Sequence, residues 1–147
     1  MPILASNKRA SFDYEFLEML EGGLVLTGPE VKSTKGGRAQ LKGSFLQVRG
    51  GELWLKNAFI AKYDPAGPQE SYDGSRNRKV LIRRKELIRL AGKTQEDRLT
   101  LVPVLLYTER NLVKLKFAIA RGKKKFEKRE TIKKREVERQ IRDRLRT

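Results

Sequence analysis

The chain has 147 residues, 34 Lys or Arg against 18 Asp or Glu, a formal charge of +16, and neither cysteine nor histidine. That length suits one domain with a modest core. The composition rules out disulfides, nearly excludes a zinc site by leaving only carboxylates as charged ligands, and lowers the odds of hydrolase chemistry by removing the commonest general base. No stretch approaches the roughly 18 apolar residues of a membrane span, and the apolar run in MPILASNKRAS is too short for a signal peptide. A cytoplasmic protein is expected. Residues 121–147 hold 13 Lys or Arg against 5 Asp or Glu, so half of the net charge lies in the last 27 residues and half in residues 1–120. A body that is itself cationic points to a polyanionic partner, most commonly nucleic acid, with a membrane surface or a merely soluble basic protein as alternatives.

In chain order, FDYEFLEMLEGGLVLT (residues 12–27) fits both a helical stripe through Phe12, Phe16, Met19 and Leu20 and a strand interrupted at Gly22-Gly23. In TGPEVKSTKGG, Thr27 or Gly28 can cap, Pro29 suits the first helical position and Gly36-Gly37 ends the run, which predicts a short helix at about 29–35. LKGSFLQVRGGELWLKNAFIA reads as a hairpin of Ser44–Arg49 and Glu52–Ala61 around Gly50-Gly51, with Trp54 and Phe59 on opposite faces because their spacing is odd. YDPAGPQESYDGS is loop by composition. RNRKVLIRRKELIRLAGKT reads as a helix stopped at Gly92. LTLVPVLLYTERNLVKLKFAIA reads as two long strands around a turn at Thr108–Asn111, edge or bulged at Pro103, which lacks a ladder donor. Long strands with few helices predict a mostly β protein, a small closed or partly closed barrel.

The segment Arg76–Arg89 carries seven cations (Arg76, Arg78, Lys79, Arg83, Arg84, Lys85, Arg89) against Glu86. Such a helix either covers the core with its long stems or contacts phosphates, and the 7:1 ratio favours the second reading. Asn7-Lys8-Arg9 is either a loose terminus or a binding arm. Glu21, beside Gly22-Gly23, is a solvated turn residue on the simplest reading. Within a basic face it would instead confer selectivity, since a carboxylate accepts from base amines and repels phosphates. Lys114 and Lys116 alternate with Leu115 and Phe117 as the wet face of a strand. In the tail, Val137, Ile141 and Leu145 recur at i, i+4 and i+8, Thr131 offers a cap, and Glu130→Lys134 and Glu138→Arg142 add about 0.2–0.5 kcal/mol each. That is too little to hold an isolated helix, so a tail disordered when free and helical on a partner is expected.

NKRASFDYEF, EGGLVLTGPEVKS, GGRAQLKGSFLQVRGGELWL, RNRKVLIRRKEL, TLVPVLLY and ARGKKKFEKRETIKKRE, in register from about residue 7 to 135, resemble the SsrA-binding protein (SmpB) family. The resemblance implies an OB-fold-like closed β-barrel with short packed helices over residues 1–120 and a basic C-terminal tail over 121–147. It also implies a role in which the protein binds the tRNA-like domain of transfer-messenger RNA and enters stalled ribosomes with it. The tail would then occupy the decoding centre and the vacant mRNA channel as a helix. Carried over by position, Asn7, Glu21, Val80 and Lys114 are RNA-binding. Val80 stands where leucine is usual, Asn77 replaces a common threonine, and Pro29 replaces Thr or Trp, which leaves Glu30 as a structural residue. Gly122-Lys123-Lys124 matches the tail motif, and Glu127-Lys128-Arg129 has glutamate where aspartate is frequent.

The resulting expectation is a non-enzymatic RNA-binding adaptor, without cofactor or membrane, that is a monomer when RNA-bound. Its RNA-binding set is Asn7, Lys8, Arg9, Glu21, Arg78, Lys79, Val80 and Lys114. Its ribosome-binding tail set is Gly122, Lys123, Lys124, Glu127, Lys128, Arg129, Ile132, Lys133, Lys134 and Arg135. The competing classes are a permanent basic ribosomal protein, which shares the composition, and a small RNA-processing enzyme. The enzyme would need clustered carboxylates for Mg²⁺, and the acids here are scattered.

Overall fold

The computed structural model describes residues 2–63, 72–95, 99–123, 133 and 135–141. The elements in order are β1 (Ile3–Ser6), α1 (Ala10–Asp13), β2 (Tyr14–Leu24), α2 (Gly28–Lys35), β3 (Ala39–Gln40), β4 (Phe45–Arg49), β5 (Glu52–Lys56), β6 (Phe59–Ile60), β7 (Arg78–Leu81), α3 (Arg84–Gln95), β8 (Leu99–Glu109) and β9 (Leu112–Gly122). Antiparallel pairing runs β8–β4–β5–β7–β2–β9 and returns to β8, a ring of strands to which β1 adds on β8. β3 and β6 pair separately. The protein is therefore mostly β, with its helices packed at the margins of the ring.

The ambiguous segment 12–27 resolves into the end of α1 and the long strand β2. Its alternation buries Leu20, Gly22 and Leu24 while Met19 and Glu21 face out. β2, β8 and β9 curl where their registers slip, at Phe16/Glu18 and Pro103/Leu105. The second slip is the bulge expected from the missing Pro103 donor. Arg110 and Asn111 both adopt positive φ (52° and 65°), the geometry of a tight two-residue hairpin turn. Inward residues of every long strand meet in one core around Leu53, Leu101, Leu106, Leu115 and Phe117, and α3 contributes Leu90. Each such side chain stabilises the fold by about 1.5–3 kcal/mol through burial. Among the described residues no helix is long and apolar enough to cross a membrane.

α2 forms as its sequence dictates. Thr27 accepts from the Glu30 N–H, Glu30 accepts from the Thr27 N–H, Pro29 sits in the first turn, and Gly36 ends the helix. The Glu30 side chain is also the hub of a buried ion cluster. Arg78 donates to Glu30 Oε2 from Nε (2.9 Å) and Nη2 (2.7 Å), and Arg76 bonds both carboxylate oxygens. Arg78 also donates to the carbonyls of Ala58, Gly74 and Arg76, and Tyr72 bonds Glu30 and the Ile60 carbonyl. Burial pushes the Glu30 carboxyl up, but the hydrogen bonds from Arg76, Thr27 and Arg78 and the charge of Arg78 more than offset this and hold its pKa at about 2. One acid thereby ties α2, the end of β6 and the start of β7 together. Glu30 is structural, as its place after Pro29 suggested.

Two expectations need correction. The stretch expected to be one helix from Arg76 is a strand, β7, followed by α3, and Gly92 lies inside α3 without stopping it. The strand reaches across the hairpin and completes the ring, so tertiary pairing overrides the local helical pattern. Trp54 and Phe59 do not take opposite faces. Burial alternates through Leu53 and Leu55 and resumes at Ala58 and Ile60, because Asn57 at φ 62° breaks the strand and shifts its parity. β9 itself runs through Gly122, which pairs with Tyr14, so Gly122 belongs to the ladder.

Candidate nucleic-acid interface

The register of the ring builds a row of side chains across its outer face. Leu81 on β7 pairs with Gly23 on β2, Gly23 with Lys114 on β9, and Lys114 with Tyr107 on β8. One step along, Glu21 pairs with Lys116. Cross-strand partners share a face, so Leu81, Lys114, Glu21 and Lys116 all surround Gly23. At that position even the Cβ of Leu81 would lie only 3.7 Å from an added Cβ. Gly23 is thus a low saddle between an apolar and a cationic wall. The adjacent Gly22 faces the core, where a Cβ would come within 2.7 Å of Val80 Cγ1 and 3.0 Å of the Leu81 carbonyl. The two glycines let β2 lie close to β7, one on each face.

This face forms a groove of about 720 Å³ whose far wall is the start of α3. Met19 and Leu81 are exposed in it (48% and 54%), beside Glu21, Arg83 and Lys114. Glu18 holds the wall in place by accepting two hydrogen bonds from the Arg89 guanidinium, at 2.6 and 2.8 Å. Those bonds keep the Glu18 carboxyl below its ordinary range. Glu21 Oε2 accepts from the Tyr107 hydroxyl at 2.5 Å, and Lys116 lies 5.5 Å from the centre of the same ring. Burial, then the Glu21 hydrogen bond and charge, push the Tyr107 hydroxyl well above its usual range, so it remains a donor. Among the described residues Oε1 of Glu21 has no protein partner. Lys114 is partly balanced by Glu109 at 3.1 Å. An apolar wall, a fixed carboxylate acceptor and cations at the rim make a surface suited to unstacked bases, amines or ribose hydroxyls, and phosphates.

Of the expected RNA-binding residues, the structure brings Glu21 and Lys114 together here. Two others are buried. Val80 is 2% exposed, pairs with Leu24 and Leu53, and packs in the core. Arg78 is fully buried on Glu30. Both follow from β7 being a strand: Arg78 and Val80 share its inner face, and Leu81 takes the outer position. Lys79 lies apart, paired with Glu52 at 2.9 Å and opposite Trp54. Asn7, Lys8 and Arg9 line a second groove with Phe12, Lys42 and Arg135. The Asn7 amide donates to the Pro103 carbonyl at 3.0 Å, and its N–H to Val104 at 2.8 Å, so Asn7 also anchors β1 to the β8 bulge.

In the tail set, Lys123 donates from its N–H to the Asp13 carbonyl (2.9 Å) and from Nζ to the Ser11 carbonyl (3.0 Å), fixing where the chain leaves β9. Residues 133 and 135–141 are helical, with Lys133, Arg135, Val137 and Ile141 exposed. Lys124, Glu127, Lys128, Arg129, Ile132 and Lys134 lie outside the described residues. The sequence reading missed Leu81, Met19, Lys116 and the Tyr107 partner of Glu21. Strand parity after Arg78 would have found Leu81. The Glu21–Tyr107 bond spans 86 residues and has no local signal.

A family model described as SmpB protein matches residues 4–147. The SsrA-binding protein of Rubrobacter xylanophilus is 46% identical over 99% of both chains. That of Sulfurihydrogenibium sp. is 45% identical over 95% of this chain and 91% of its own. A solved structure described as "tmRNA-SmpB: a journey to the center of the bacterial ribosome" is similar with a TM-score of 0.68 at 44% identity, over 85% of this chain and 87% of that one. With a family match that spans nearly every residue and relatives of the same length, the chain belongs to the SmpB protein family.

Proposed function

We propose that the chain is an RNA-binding adaptor, not an enzyme, that binds the tRNA-like domain of transfer-messenger RNA and accompanies it to stalled ribosomes in trans-translation. The near full-length match to SsrA-binding proteins, together with the likeness to an SmpB chain described with tmRNA on the bacterial ribosome, carries this reading. The ring of strands, read as an OB-like barrel, presents the groove of Glu21, Leu81, Met19, Arg83 and Lys114 to the RNA. Leu81 takes the apolar contact that the family pattern suggested for Val80. Cations at the rim supply salt-dependent affinity, and Glu21 selects a base amine or ribose hydroxyl.

The tail from Lys123 onward engages the decoding centre and the empty mRNA channel. Its half-exposed stripe of Val137 and Ile141 is covered there, and its cations meet ribosomal phosphates. The protein acts in the cytoplasm as a monomer on the RNA. The test is to crosslink the full chain to RNA in cells and sequence what is captured. Transfer-messenger RNA should dominate, followed by ribosomal RNA of the decoding centre. Capture of ribosomal RNA alone would instead make this a permanent ribosomal component.

A further inference from the structure

The second groove joins residues that the sequence separates. Lys8 and Arg9 come from the turn before α1, Lys42 from the turn before β4, and Arg135 from the tail helix, yet all line one space of about 940 Å³. Each is held at its base. Lys42 rides a tight turn in which buried Leu41 accepts hydrogen bonds from the Ser44 N–H (3.0 Å) and hydroxyl (2.5 Å), with Gly43 at φ 76°. Ser11 is a node between body and tail. Its hydroxyl donates to the Lys8 carbonyl at 3.2 Å and accepts from Arg135 Nη2, while its carbonyl accepts from Lys123 Nζ. Two tail residues, twelve apart in sequence, therefore bond the same residue of α1.

Among the described residues the charges of this groove are unbalanced. Arg9 is paired with Asp13 at 3.2 Å and stacks 4.8 Å from the Phe12 ring centre. Lys8, Lys42 and Arg135 have no carboxylate partner among the described residues. In the first groove Arg89 and Lys114 each have one, and Arg83 has none among the described residues. Cations gathered around one concavity repel each other unless an anion lies between them, and an open space of about 940 Å³ lined by cations from three separate segments suits a chain of phosphates rather than one small ion. Resting on the RNA-binding reading above, we infer that this groove is a phosphodiester clamp shared by body and tail, in which Lys42 and Arg135 grip one stretch of RNA backbone. The tail is then coupled to the RNA that the body holds.

The test uses the full chain and two fluorescent RNAs, the tRNA-like domain of transfer-messenger RNA and a decoding-centre ribosomal helix, titrated between 50 and 200 mM KCl (a range of about fourfold, over which phosphate contacts report strongly). Lys42→Ala and Arg135→Ala should each weaken binding about three- to tenfold and reduce the log K against log salt slope by about 0.7–0.9. The double variant should lose less than the product of the two, because both act on one stretch of backbone. Loss confined to the ribosomal helix also supports the clamp and names its RNA. If Lys42→Ala weakens binding while Arg135→Ala matches the parent on both RNAs, the shared clamp is wrong. If both variants match the parent while Lys114→Ala loses affinity, the clamp is wrong and the RNA-binding reading stands. A parent chain that binds neither RNA removes the reading itself.

Discussion

Gly22 lies against β7, and replacing it tests whether that closeness builds the groove we propose for RNA. A Cβ there would lie 2.7 Å from Val80 Cγ1, 3.0 Å from Ile82 Cγ2 and 3.0 Å from the Leu81 carbonyl. Gly22→Ala should therefore cost about 2 kcal/mol, the usual scale of overpacking. Val80→Ala alone should also cost about 2 kcal/mol through the cavity it leaves. Independent effects would sum to about 4 kcal/mol. Removing the Val80 γ-methyls relieves the shortest conflict, so the double variant should lose about 3 kcal/mol, a coupling near 1 kcal/mol. Relief is incomplete because the Leu81 carbonyl cannot be trimmed. Pushing β7 outward also lifts Leu81 from the Gly23 saddle, so affinity for the tRNA-like domain should fall about fivefold in Gly22→Ala and partly recover in the double variant, on the scale of one displaced base contact. Urea unfolding and RNA titration on the four proteins give both cycles. An additive stability cycle, or a Gly22→Ala protein within about 0.5 kcal/mol of the parent, would refute the packing argument.

Other predictions follow from the site and its supports. The Glu30 carboxyl, held at about 2 against 4.5, contributes about 3 kcal/mol that is fully present above pH 4.5 and lost as pH falls from there toward 2. Glu30→Gln should abolish that acid slope in urea unfolding measured from pH 6 to 3, and an unchanged slope would assign it to other carboxylates. Glu21→Lys should weaken binding to the tRNA-like domain although it makes the protein more cationic, whereas Tyr107→Phe, which leaves the carboxylate in place, should stay within about twofold of the parent. A rise in affinity for Glu21→Lys would leave Glu21 as a solvated turn residue. Deleting residues 124–147, which spares the β9 ladder and the Lys123 anchor, should keep binding to the tRNA-like domain within about tenfold and abolish rescue of stalled ribosomes, because the tail's contacts on that RNA are few. Loss of most affinity for the free RNA would refute that division of labour.

What the sequence disclosed was local chemistry. The α2 cap lies within four residues, the Pro103 bulge follows from one missing donor, and the turn of the last hairpin is set by Arg110 and Asn111 themselves. The errors arose where a residue's face depends on a distant partner. Arg78 and Val80 read as the cationic and apolar parts of one helix with α3. Yet β2 and β5, brought alongside by the fold, pull that stretch into strand and turn both inward. Likewise, Glu21 was legible as an acid in a basic setting, while its fixing by Tyr107 depends on the β2–β9–β8 register. The family resemblance supplied function without supplying faces. In the structure Val80 is buried and Leu81 is the exposed apolar residue beside it, one position on.

The same register explains why a dense run of cations is a poor map of RNA contacts. Of the seven basic residues from Arg76 to Arg89, Arg76 and Arg78 hold Glu30, Lys79 holds Glu52 and Arg89 holds Glu18. Arg83, Arg84 and Lys85, at the start of α3, have no carboxylate partner among the described residues, and only Arg83 lines the groove. One substitution class should therefore have two opposite signatures. Arg78→Met strands Glu30 in the interior and should cost about 3–5 kcal/mol of stability, with RNA affinity reduced only as far as the fold is lost. Arg83→Ala should leave stability within about 0.5 kcal/mol while lowering the salt slope of RNA binding by about 0.7–0.9. Urea unfolding and salt-dependent titration of the two variants separate these cases. If Arg83→Ala leaves the slope unchanged, the groove beside Glu21 does not hold the phosphate backbone, and the cations that do must lie elsewhere on the ring.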